Sequence, residues 1–122
     1  MLFLADTADN SKQLAAEVTD PSQGSAIGRL IADEILSNYP DDVKSWAVQM
    51  SHHGNGSYPD YFYEAIAPKK AFFDAPDWLM ENRNMENGEP SYYSTPHYRQ
   101  LMESLGADII SYSTKRRSVT LK

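Results

Sequence analysis

The chain has 122 residues, with eleven basic side chains against seventeen acidic ones, a net charge of −6 and no cysteine. That length fits one domain, or part of one, able to bury roughly two-thirds of its unfolded surface without covalent staples. The missing thiols exclude disulfides and thiolate metal centres, so a transition metal has to be held by His, Asp or Glu. The acidic balance disfavours nucleic-acid binding by bulk electrostatics. No apolar run reaches the ~18 residues of a membrane helix, and the first residues lack the basic region and cleavage site of a signal peptide.

Leu2-Phe3-Leu4-Ala5 reads as a buried strand that ends in an acidic, turn-forming loop, Asp6-Thr7-Ala8-Asp9-Asn10. Independent domains can start with a strand, and an opening this apolar, with no polar lead-in, also fits a chain whose upstream part is missing. A short helix over 12–18 follows, capped by Ser11, and then a breaker-rich loop over 19–25. Ala26, Ile27, Leu30, Ile31, Ile35 and Leu36 mark an amphipathic helix of about three turns that ends near Tyr39-Pro40. Residues 46–50 alternate apolar and polar side chains at period two, the pattern of a strand with one buried face. It runs into Ser51-His52-His53-Gly54-Asn55-Gly56-Ser57, too rich in glycine to extend the strand.

Pro59 then begins a helix with Phe62 and Ile66 on one face, stopped by Pro68. Residues 71–75 read as a strand. The polar stretch 76–90 is expected to be a mobile loop, with Trp78 and Leu79 packing back as an anchor. A last helix begins near Thr95-Pro96, presents Tyr98, Leu101, Met102 and Leu105, and stops at Gly106. Strands over 109–112 and 118–121 flank Lys115-Arg116-Arg117, a basic cluster that reads as a solvated hairpin tip. Strands alternating with helices argue for an α/β domain, a layered sheet with covering helices.

Three histidines are present, His52, His53 and His97. His97, at a helix start after Pro96, reads as a structural or surface residue. The His52-His53 pair, at the carboxyl end of a strand and before a flexible loop, is placed to serve a metal or a phosphate. Neighbouring side chains on a straight strand point to opposite faces, so the two cannot share one task. Asp6 ends the first apolar strand in the same way, although alone it reads as an Asx turn or a helix cap. Carboxylate and imidazole from two strand ends of one sheet can converge on a divalent ion. Zinc suits nitrogen-rich ligands, manganese or iron added carboxylate.

The run Leu2-Phe3-Leu4-Ala5-Asp6, the helix after it, Val48-Gln49-Met50-Ser51-His52-His53-Gly54, and the helix from Phe62 to Pro68 together resemble the carboxyl-terminal half of a metallo-β-lactamase-fold hydrolase. The hydrolase domain of the competence protein ComEC and the phosphorylcholine esterases are similar in pattern. The resemblance implies that residues 1–122 form a single partial domain, the carboxyl-terminal half of an αββα sandwich. It implies that Asp6 bridges metals, although Ala5 stands where that family has glycine. It also implies that one of the two histidines is a ligand, with His53 favoured, and that His52, the candidate catalytic histidine, faces the substrate phosphate or supports the metal ligands from behind. Asn55, Ser57 and Tyr58 would line the substrate edge, a role that loop polarity explains equally well.

That family takes its other ligands from a His-x-His-x-Asp-His motif in the amino-terminal half, and this chain has none. The expectation is therefore a portion of a metal-dependent hydrolase acting on a phosphoester or similar bond, inert alone. The complete fold would hold two divalent ions, and this chain would bind zinc or another divalent ion weakly or not at all. Its partner would be the missing amino-terminal half, with self-association through an uncovered sheet face in its absence. The alternative is a non-catalytic α/β interaction module that keeps the motif as scaffold.

Overall fold

Four short strands pair entirely in parallel: β1 (Leu2–Phe3), β2 (Ala47–Gln49), β3 (Lys70–Phe72) and β4 (Asp108–Ile110), side by side in chain order. The computed structural model describes residues 1–4 and 20–111. Asp6, Asp9, the helix expected over 12–18, the basic turn at Lys115-Arg116-Arg117 and the strand expected over 118–121 lie outside the described residues. The α/β architecture expected from the alternating pattern is present. Helices α1 (Ala26–Asn38), α2 (Asp60–Ile66), α3 (Asp77–Met80) and α4 (Thr95–Ser104) fill the connections between strands. Among the described residues no helix is long and apolar enough to cross a membrane.

Parallel neighbours taken in sequence order need right-handed crossovers, which set the connecting helices on one face of the sheet. The pairing register shows which side chains meet them. Leu2, Val48, Ala71 and Ile109 form one row across the four strands, and all four belong to, or pack against, the core. The next row, Phe3, Gln49, Phe72 and Ile110, lies on the opposite face, where Phe3 is 68% exposed. On the helix side the core is aromatic. Tyr58 stacks on Phe62 at 5.0 Å, and Tyr63 meets Tyr98 edge-on at 5.7 Å.

The elements depart from the sequence expectation where close packing overrides pattern. Helix α1 buries Gly28 and Ala32 most deeply, and Leu30, expected on the apolar stripe, is 70% exposed. The reason is proximity: a methyl group on Gly28 would lie 1.8 Å from the Ser57 carbonyl oxygen. Small residues four apart let the helix approach the loop, so the face that packs is not the most hydrophobic one. Strand β3 covers Lys70–Phe72 rather than 71–75, because Lys69 and Lys70 already donate their amides to the Trp46 carbonyl. Helix α2 ends at Ala67, whose left-handed backbone (φ 49°) precedes Pro68. Within 76–90 the chain forms α3, which buries Leu79 and Met80.

Replacing a helical glycine by alanine ordinarily stabilises by about 1 kcal/mol. At position 28 the contact reverses the sign, since the obstacle is backbone that is itself hydrogen-bonded. Gly28→Ala is expected to destabilise by about 2 kcal/mol or more, measured by urea denaturation. A variant as stable as the parent would show that α1 can withdraw from Ser57 without cost.

Candidate functional site

Strand β2 ends at Gln49, and the chain then turns in a left-handed run. His52 has φ 50° and ψ 49°, His53 φ 57° and ψ 19°, and Gly54 φ 81°. The histidines therefore do not extend the strand to opposite faces; they form the turn beyond its carboxyl end, with ring centroids 6.1 Å apart. A left-handed backbone costs an L-residue roughly 1–2 kcal/mol, and two in succession outside glycine are worth reading for function. The turn is held in place by packing. Gly54 lies under the Phe73 ring, where a methyl group would come within 2.3 Å of it.

This conformation sets the state of His53. Its Nδ1–H donates to the backbone carbonyl of Asp74 at 2.6 Å. A carbonyl only accepts, so in the neutral ring the proton sits on Nδ1 and the lone pair on Nε2. The ring is exposed. A histidine held this way, with one nitrogen on a carbonyl and the other bare, has the arrangement of a metal-ligating imidazole and its supporting group. His52 is half-buried beside it.

The register places several strand ends on the same rim. Phe3 pairs with Gln49, and Gln49 with Phe72, so the chain leaves β1, β2 and β3 at one edge of the sheet. Asp6, two residues past Leu4, lies outside the described residues. Asp74 stands at this rim and the sequence reading passed over it. The signal was present: an acid directly after Phe72-Phe73, the same pattern that drew attention to Asp6. Among the described residues no group of three His, Asp or Glu side chains lies close enough to hold a metal ion. Among the described residues this rim offers the exposed His53 imidazole, short of the ligand set that a divalent ion needs.

The other sequence candidates have structural tasks. Asn55 accepts the Ser94 amide on Oδ1 at 2.7 Å. Ser57 is buried, with φ 85°. Its carbonyl accepts the Ser25 amide at 2.8 Å and the Ser25 hydroxyl at 3.2 Å. That hydroxyl also accepts the Gly28 amide at 2.9 Å, so one side chain caps α1 and ties it to the loop. Tyr58 is a core residue, 4% exposed. His97 donates from Nε2 to Asp60 Oδ1 at 2.7 Å, joining the first turns of α4 and α2.

Tyr98 completes the support. Its hydroxyl reaches the Pro21 carbonyl at 2.7 Å and the Tyr58 carbonyl at 3.0 Å. Burial, with the Asp60 and Asp20 carboxylates adding to it, pushes the Tyr98 phenol well above its ordinary 10.0. Burial also raises Tyr63, with Tyr98 next in effect. Both phenols keep their protons in the folded chain at a pH where the unfolded chain loses them.

The folded state then binds more protons than the unfolded state above pH about 10. The stability these groups contribute is complete below that pH and falls as pH rises through it, by up to about 1.4 kcal/mol per unit for each phenol. Tyr98→Phe is expected to flatten the alkaline fall by about one proton and to cost about 1–3 kcal/mol at neutral pH, where two carbonyls lose their donor. Denaturant titrations from about pH 8 to about pH 11 measure both; an unchanged slope would contradict the assignment.

Comparison with family models, with curated proteins and with solved structures returns no match.

Proposed function

We propose that this chain is the carboxyl-terminal portion of a metal-dependent hydrolase with a metallo-β-lactamase-like fold, acting on a phosphoester or similar bond and inert alone. The observation that carries the reading is His53 at the strand-end rim, its Nδ1–H held by the Asp74 carbonyl at 2.6 Å and its ring exposed. In this reading His53 Nε2 and the Asp6 carboxylate are metal ligands, and His52 faces the substrate phosphate. A divalent ion held there would lower the pKa of its water and offset charge developing on the phosphoryl oxygens. The protein's own part is to fix the imidazole's orientation through Asp74 and the left-handed turn, and to offer the Asn55 amide nitrogen at the substrate edge. The remaining ligands come from an amino-terminal half, which would also cover the sheet face that carries Phe3.

Two measurements test the reading together. Calorimetric titration of this chain with zinc is expected to show weak binding or none, and bis(p-nitrophenyl) phosphate to remain intact. Joined to an upstream segment carrying a His-x-His-x-Asp-His motif, the chain is expected to bind zinc tightly and turn the ester over, with His53→Ala reducing turnover at least ~100-fold. Tight stoichiometric zinc and turnover by the chain alone would sink the half-site reading. A natural upstream sequence without such a motif would favour the non-catalytic interaction module instead.

A further inference from the structure

Helix α4 grips the segment that follows the histidine turn at three points. The Ser94 amide donates to Asn55 Oδ1 at 2.7 Å, the Tyr98 hydroxyl to the Tyr58 carbonyl at 3.0 Å, and His97 Nε2–H to Asp60 Oδ1 at 2.7 Å. Their partners at 55, 58 and 60 span the whole path from the left-handed turn to the first residue of α2. That path needs holding from outside. It begins with His52 and His53 at φ 50° and 57° and contains Ser57 at φ 85°, three L-residues in a region that costs each roughly 1–2 kcal/mol.

The three grips differ in kind. The Ser94 contact uses a backbone donor, and the Tyr98 contact a side chain also needed for the core. The His97–Asp60 pair joins two side chains, 32% and 22% exposed, and the imidazole also meets the Tyr98 ring edge-on at 5.1 Å. Asp60 is the first residue of α2, so fixing its carboxylate fixes where that helix begins and how much slack the preceding loop has. We infer that His97, acting through Asp60, is a positioning residue that works with the packing of Gly54 under Phe73 to keep the His52–His53 turn in its left-handed conformation. The inference rests on the reading of His52 and His53 as the functional pair; His97 itself touches neither a metal nor a substrate in that reading.

The test uses the full chain, with amide hydrogen exchange over 51–60 and the imidazole proton resonances of His52 and His53 as readouts. His97→Ala is expected to speed exchange over 53–57 about tenfold or more and to shift the His53 resonances. His97→Gln, whose side-chain amide can still donate to Asp60, is expected to restore most of both. Leu105→Ala, a half-buried change at the far end of α4, controls for lost stability and is expected to leave the turn's resonances in place. If His97→Ala does not fold, Asp60→Asn supplies the comparison, with a smaller increase confined to the same amides. Exchange that rises uniformly across the sheet, or His53 resonances unmoved by loss of the His97 contact, overturns the inference. Neither outcome alters the zinc titration, and a zinc result against the half-site leaves the exchange result standing.

Discussion

The Phe73 ring lying against Gly54 is the constraint from which the rest of this structure follows. Phe73 is fixed from its own side: it is 1% exposed and its amide donates to the Ile110 carbonyl at 2.8 Å. The chain leaving β2 must pass that ring with no side chain at the point of contact, and it does so by turning left-handed through His52, His53 and Gly54. Once the turn is set, the His53 imidazole falls against the Asp74 carbonyl, one residue beyond Phe73. The loop then passes under α1, where Gly28 and Ser25 receive the Ser57 carbonyl. Core packing and site geometry are therefore the same set of contacts seen from two sides.

A parallel sheet gives this arrangement its direction. With β1 to β4 all pointing the same way, the turns that follow the strands gather at one rim, and such a rim is where α/β folds place their chemistry. The short strands supply few ladder hydrogen bonds. Much of the rim's order comes instead from side chains that reach across connections: Ser25 to Ser57, Asn55 to the Ser94 amide, His97 to Asp60, Tyr98 to Pro21 and Tyr58. Among the described residues the two rows of the sheet differ: Val48 and Ala71 are at 0% exposure in the core row, while the other row runs from Ile110 at 7% to Phe3 at 68%.

Much of the fold was legible from pattern alone. The apolar repeat from Ala26, Pro40 after its end, the alternation around Val48 and the glycine at 106 each placed an element within a few residues of where it lies. The failures share one cause, since periodicity ranks residues by hydrophobicity and cannot see close approach. It chose Leu30 over Gly28, and it ran the third strand over 71–75 where β3 covers Lys70–Phe72. At the site, the sequence singled out the histidine turn because two imidazoles before a glycine are unusual. It did not show that Asn55 would spend its oxygen on Ser94, that Ser57 would be buried, or that His97 would find a carboxylate on another helix. Those contacts join residues 37 to 39 positions apart, and no local signal carries them. Asp74 was visible in principle, by the same strand-then-acid pattern as Asp6.

Which nitrogen of His53 carries the proton decides whether the Asp74 carbonyl holds the ring. Nitrogen-15 NMR of the imidazole rings, recorded with the rings neutral, reports this directly. The structure predicts a protonated Nδ1 and an unprotonated Nε2 for His53 when the ring is neutral. A proton found on Nε2, with Nδ1 bare, would mean that the Asp74 carbonyl does not hold the ring and that the rim presents no ligand there.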